Sequence, residues 1–268
     1  MEKISLSQKD KLSSYHKLRS LFEQNIHVGS IAEPLATCNV LDDALQVKNK
    51  MIDYDYDVIG MEESGVVIGY LMRDEIKEGI CKDYYRYFSP TELVADSTAL
   101  ITTLLIFKEI DRIFVLEGNR VTKVVTLADL QKPPIRMLLF GLISLLEMHL
   151  VRLINYYLPN DTWKKYLQTN RIEAAEKLFM GRKARNEAIE LSDCLQICDK
   201  RDIVIHDETL RNHLHIESKS KGKDFFKKLE GLRNNLAHSQ DLNTQNSWNE
   251  IFTIIEQTEE ILEICEQI

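Results

Sequence analysis

Glycine and proline are scarce in this chain, at 10 and 5 of 268 residues, which excludes a collagen-like or linker-type polymer and leaves little room for long loops. The five cysteines, Cys38, Cys81, Cys194, Cys198 and Cys265, are odd in number and scattered without a C-x-x-C pair. Free thiols are therefore expected, and neither a disulfide framework nor a zinc finger. Long apolar runs are missing: the longest, Met137 to Leu146, lies between Arg136 and Glu147 and falls short of a bilayer span. The amino terminus, Met-Glu-Lys-Ile-Ser, lacks the basic start, apolar run and small-residue cleavage site of a secretion signal, so a cytoplasmic protein is expected. Positive charge is also short, with 34 Lys and Arg against 42 Asp and Glu. A net charge of −8, with neither half of the chain basic, excludes binding of duplex nucleic acid by charge alone. No Walker A loop, G-x-G-x-x-G turn, H-E-x-x-H helix or G-x-S-x-G elbow occurs.

What is present is a helix-rich globular composition, 44% hydrophobic and 28% charged, in a length that suits one large or two ordinary domains. Residues Ser7 to Asn25 carry Leu12, Tyr15, Leu18, Leu21 and Phe22 at helical spacing and read as a packing arm. From Leu35 the order is a short extended run to Val40, a helix from Leu41 to Met51, and strands at Tyr56 to Met61 and Val66 to Met72 about the turn Glu63-Ser64-Gly65. The same order returns about 60 residues later, which points to duplication. In this second pass Glu92 to Asp96 is extended, Ser97 to Glu109 helical, and Ile113 to Leu116 and Val121 to Thr126 are strands, with a helix starting at Ala128. Lys132-Pro133-Pro134 marks the boundary, because consecutive prolines deny donors to a sheet. Beyond it, helical stripes at Ile135 to Tyr157, Asp161 to Gln168, Arg171 to Cys198, Asp224 to His238 and Trp248 to Glu266 predict a bundle. Between Cys198 and Asp224 the pattern breaks down and a partly exposed connection is expected.

The tandem strand-helix-strand-strand-helix units, repeats at about 35–80 and 90–134, resemble a pair of CBS domains. The most specific piece is Lys123-Val124-Val125-Thr126-Leu127-Ala128-Asp129-Leu130, which is similar to that family's strand ending G-x-x-T-x-x-D, with Lys123 in place of the glycine. The resemblance implies that the cleft senses an adenine nucleotide or related ligand, with Thr126 on phosphate and Asp129 on the ribose hydroxyls. The same two residues also suit a helix cap. The first repeat departs from the pattern, with Met72 and Glu75 where the hydroxyl and the aspartate should be, so one site is expected instead of two.

Arg233-Asn234-Asn235-Leu236-Ala237-His238 lies on a predicted helix whose apolar positions include Phe226, Leu229, Leu232 and Leu236. It resembles the R-x-x-x-x-H motif of the HEPN family with a polar residue after the arginine, a pattern that this composition yields by chance only about 0.02 times. Metal-free RNA cleavage needs a group titrating near neutrality to move the 2′-hydroxyl proton, which suits histidine, and a permanent cation on the phosphorane, which suits arginine. His238 and Arg233 are assigned those roles, and Asn234, four residues before His238, is placed to fix its tautomer. Arg233 sits about 140° round an ideal helix from His238, so a partner chain or a distorted turn is required to bring them together. By resemblance, that partner is a second copy with its motif helix across a twofold axis. The bland alternative is a histidine favoured near a helix carboxy terminus. Lys223, Lys227 and Lys228, with Lys219 and Lys221, lie just upstream and can neutralise phosphates of a single strand, or form a solvated face. His213 and His215 lack further ligands, and no metal is expected.

The expected fold is α+β: a helix plus a CBS-like pair over 1–134 and an all-α HEPN-like bundle over 135–268. The function expected from the two resemblances is a ligand-regulated, metal-independent endoribonuclease acting on single-stranded RNA as a homodimer, in stress or phage defence, with an adenine nucleotide as regulator, no cofactor for catalysis and no membrane partner. The alternative is a non-catalytic, nucleotide-responsive dimerisation and partner-binding protein.

Overall fold

The computed structural model describes residues 14–244 and 246–267. The part of the expected amino-terminal helix that precedes residue 14 lies outside the described residues. Two compact units are present, one of Phe22–Ile135 and one that joins residues 14–21 to 136–267.

The first unit is the duplicated one. After helix α1 (Ser14–Asn25), it contains β1 (Glu33–Pro34), β2 (Thr37–Asn39), α2 (Ala44–Asp53), β3 (Val58–Glu63) and β4 (Val66–Met72), then β5 (Leu93–Ala95), α3 (Leu100–Ile106), β6 (Arg112–Glu117) and β7 (Arg120–Thr126). The sheets are ordered β2-β3-β4 and β1-β7-β6-β5, with β2 parallel to β3 and β5 parallel to β6. The hairpins superpose residue for residue: Val58 faces Met72 as Arg112 faces Thr126, and a bulge follows Met61 in one and Val115 in the other. Ser64-Gly65, both at positive φ, turn the first hairpin, and Gly118 at φ 64° turns the second. The edges are covered crosswise. β1, which precedes the first repeat, pairs Glu33 with Val124 of β7, while Arg86, which precedes the second repeat, bridges Tyr70 of β4. The Tyr70 and Phe114 rings meet at 4.7 Å, tilted by 39°, in the core that both hairpins share with Leu35, Val58 and Val121.

Pro133 opens α4 (Pro133–Tyr157), so the prolines begin a helix where the sequence predicts only a break; proline suits the first helical turn, whose N–H is unsatisfied in any case. This helix is long and apolar enough to cross a membrane, contrary to the expectation from its apolar run, although 56% of its most apolar window is buried inside the protein. It is followed by α5 (Thr169–Lys183), α6 (Ile197–His206), α7 (Glu208–His213), α8 (Lys219–Ala237) and α9 (Trp248–Cys265). The single helix expected over Arg171 to Cys198 is two, interrupted where Asn186 takes φ 59°. The partly exposed connection expected after Cys198 is instead helical, with Ile203, Val204 and Ile205 all buried. A helix buried on several sides shows no amphipathic stripe, and the alternating apolar run therefore looks irregular. All five cysteines are free thiols.

Candidate functional site

In the first unit, Thr126 ends β7 and Asp129 lies in the 3-10 turn Leu127–Gln131. The Asp129 carboxylate is buried and already engaged. One oxygen accepts from the Thr126 backbone N–H at 2.7 Å and from its hydroxyl at 3.2 Å; the other meets Lys132 Nζ at 2.8 Å. Burial works against the Lys132 charge, but Asp129 and Glu33 outweigh it and hold its pKa above the usual lysine range. The arrangement is a capping box. Across the hairpin, Arg112 opposes Thr126, and its guanidinium lies over the Tyr70 ring at 5.9 Å and against Met72 Sδ at 3.3 Å. Met72 and Glu75 occupy the equivalent places of the first repeat, and Glu75 is paired with Arg86. The glycine of that strand end is Gly69, where a Cβ would stand 2.3 Å from the Arg86 carbonyl oxygen. Its counterpart Lys123 faces Pro34 and pairs with Asp96 and Glu117.

The chain is similar to several solved structures, among them CBS-domain structures. An uncharacterized conserved protein from Pyrococcus horikoshii is 15% identical at a TM-score of 0.36, the match covering 40% of this chain and 90% of that one. A CBS-domain protein of unknown function from Thermoplasma acidophilum is 18% identical at a TM-score of 0.35, over 43% of this chain and 75% of that one. The CBS domain of a bacterial CNNM/CorC family Mg2+ transporter, in complex with ATP, is 17% identical at a TM-score of 0.34, over 45% of this chain and 92% of that one. No family model and no curated protein matches the chain.

Outside the CBS-like unit, the R-N-x-x-x-H motif occupies the last turn of α8. Arg233 and Asn234 are partly exposed, and His238, the residue after the helix, is exposed. Arg233 Nη1 donates to Asn234 Oδ1 at 3.4 Å, and the His238 backbone N–H donates to the Asn234 carbonyl at 3.0 Å. Asn234 thus holds the helix end and the arginine; the expected side-chain bond from Asn234 to the His238 ring is not formed. Ser239 at φ 54° ends the helix. Between the motif residues, Asn235 is fully buried, its side-chain amide donating to the Leu242 carbonyl and its backbone carbonyl accepting from Arg136. Arg136, at the start of α4, also donates to the Gln240 carbonyl, so it fixes the chain on both sides of His238.

Glu147 of α4 faces Arg233, with its Oε1 3.8 Å from Arg233 Nε, and its Oε2 is 2.9 Å from Lys200 Nζ of α6. Lys200 lies in the segment that the sequence leaves as a connection, and its side chain is only 7% exposed. A buried charge has no period or spacing that would mark it in sequence. His149, two residues after Glu147, instead packs inside the unit against Glu266 at 3.1 Å, where burial, offset in part by Glu266, depresses its pKa.

Of the three upstream lysines, Lys228 is held by Asp224 at 3.1 Å and Glu250 at 3.2 Å, whereas Lys223 and Lys227 are exposed. On a helix, positions 223, 227, 234 and 238 fall on one line, so the exposed lysines lead along α8 to Asn234 and His238 over about 22 Å.

Proposed function

We propose that the chain is a nucleotide-responsive endoribonuclease that cuts single-stranded RNA without a metal, as a homodimer, with Arg233, Asn234 and His238 at the site. The observation that carries this is the state of the motif: Arg233 is 43% exposed with only a 3.8 Å carboxylate neighbour, and the exposed His238 ring has no side-chain partner among the described residues. A histidine ring open to solvent can be reached by a substrate, and an arginine without a tight ion pair keeps its fork for a phosphate. In this scheme His238 moves the proton at the 2′-hydroxyl or the leaving oxygen, Arg233 holds the charge that develops on phosphorus, and Asn234 positions the arginine. Lys223 and Lys227 guide the strand, and Lys228 is left to its carboxylates. Because helical spacing sets Arg233 about 140° round from the position of His238, the complete set is assembled from two chains in this scheme. Denaturing gels with mixed RNAs in EDTA test this: wild type is expected to cut, and Arg233→Ala and His238→Ala to lose at least about 100-fold. Cleavage that persists in both variants would overturn the assignment.

The regulator in this proposal is an adenine nucleotide held by the CBS-like unit, with the Thr126 hydroxyl on phosphate. The capping role of Asp129 limits it to one remaining lone-pair direction for a sugar hydroxyl. Calorimetry with ATP and AMP is expected to show binding weakened by Thr126→Ala; binding unchanged in that variant moves the site elsewhere. A second reading, a non-catalytic dimerisation and partner-binding protein, draws support from Met137, Phe140 and Met148, exposed along α4. It is the outcome if wild type binds nucleotide and dimerises but cuts no RNA.

A further inference from the structure

We infer that Lys200 keeps the Arg233 guanidinium available to an anion by holding the charge of Glu147 away from it. The inference rests on the reading of Arg233 as a phosphate-binding residue. One carboxylate stands between two cations, and the distances are unequal: 2.9 Å to Lys200 Nζ and 3.8 Å to Arg233 Nε. The first is a charge-assisted hydrogen bond; the second lies beyond hydrogen-bond range. The exposures are equally uneven, 7% for the lysine side chain and 43% for the arginine. A buried ammonium needs its counter-ion far more than a half-exposed guanidinium does, so the carboxylate stays with Lys200. Arg233 then has no two-pronged carboxylate on its fork, only the 3.8 Å approach of Glu147 and the 3.4 Å contact to Asn234, and the three-residue cluster has a net charge of one.

Glu147 and Lys200 also line a cleft of about 910 Å³ together with Met148, Val151, Arg152 and Lys183, so the carboxylate is not packed in on that side. Without the Lys200 charge, Glu147 would close on Arg233 as a two-pronged carboxylate–guanidinium pair, and the cluster would become neutral. Any phosphate would then have to displace that carboxylate. Lys200 is in this sense a positioning residue: it touches Glu147 and acts on the anion only through it.

Inorganic phosphate is the probe, titrated against the full-length protein by thermal shift, with RNA cleavage measured beside it. Lys200→Met is expected to raise the phosphate Kd about 10-fold, and Lys200→Met with Glu147→Gln to return it to within about threefold of wild type. Glu147→Gln alone is expected to bind at least as tightly as wild type, and Arg233→Ala to remove the binding. A lysine needed only for packing would not be rescued by neutralising Glu147, so a loss that persists in the double variant overturns the inference, as does an unchanged Lys200→Met or phosphate binding indifferent to Arg233. If Lys200→Met does not fold, the double variant, which buries no charge at this place, carries the test: wild-type affinity supports the inference and weak binding overturns it. The phosphate pattern with no RNA cut by wild type leaves the inference standing and removes the ribonuclease reading. Arg233-dependent cleavage without the phosphate pattern does the reverse.

Discussion

Asp129 illustrates how one side chain can serve as scaffold where a ligand contact is expected. Its carboxylate satisfies the Thr126 N–H and hydroxyl and neutralises Lys132, which in turn donates to the Ile31 carbonyl at 2.6 Å. Asp129→Ala is therefore expected to lower the stability of the CBS-like unit by about 2 kcal/mol, since it removes a cap and leaves a partly buried cation short of a partner. Urea unfolding measures this, and a change under about 0.5 kcal/mol would show that the cap carries little of the fold. The consequence for ligand work is practical: lost binding in an Asp129 variant speaks for a contact only if the unit stays folded, which makes Thr126→Ala the cleaner probe. His149 supplies a second residue-scale test. Burial is the main cause of its depressed pKa, with Arg152 adding to it and Glu266 opposing. A histidine whose folded pKa lies below its unfolded value binds fewer protons when folded, so its contribution is fully present above about pH 6.5 and is lost as pH falls through the folded value. Thermal unfolding from pH 7.5 to 5 is expected to show a steeper loss for wild type than for His149→Gln; parallel curves would mean that the imidazole titrates alike in both states.

At the scale of elements, the crosswise edge pairing explains why only one hairpin needs a glycine. A Cβ at Gly69 would stand 2.3 Å from the Arg86 carbonyl and 2.8 Å from the Tyr85 ring, so the segment carrying the Tyr70–Arg86 bridge could not keep its place. Gly69→Ala is expected to cost about 1–3 kcal/mol and to expose the Arg86 N–H, which now donates to Tyr70 at 2.8 Å, to rapid hydrogen exchange. Slow exchange in that variant would mean that the edge yields without detaching. Lys123, at the same place in the second hairpin, meets Pro34 and needs no such freedom, which removes the puzzle of its departure from the glycine pattern. The hairpins were legible in sequence because turn residues and alternation coincide there: the strand expected at Val66 to Met72 is the strand observed. Helix α6 was illegible for the opposite reason. Asp199 and Lys200, though charged, are buried beside Ile203, Val204 and Ile205, Asp199 bound by Arg171 at 2.6 Å, so polar and apolar residues share its inward faces and the stripe vanishes.

Over the whole molecule, the motif at the end of α8 was visible as residue types at a spacing, while its surroundings were not. Glu147 stands out in an apolar stretch, but nothing in the order of residues connects it to Lys200 and Arg233, because three elements far apart in sequence meet there. The same holds for any influence of one unit on the other, which is a free-energy coupling and leaves no trace in a motif. If the CBS-like unit binds an adenine nucleotide and the second unit binds RNA, any coupling between them must be reciprocal. A nucleotide that strengthens RNA binding by a given factor must itself be bound more tightly, by the same factor, when RNA is present. Titrating ATP into the full-length protein with and without a 2′-O-methyl oligonucleotide, which cannot be cut through its 2′-oxygen, measures one side, and titrating the oligonucleotide with and without ATP measures the other. A matching factor of about 5–150 is expected, the usual range for coupled sites. Two factors of one, with both ligands bound, would mean that the two units bind their ligands independently. The dimer enters here as well: if the site is completed by a second copy, a nucleotide that favours one arrangement of two chains acts on RNA through that preference alone, and the factor should fall to one in a variant held monomeric.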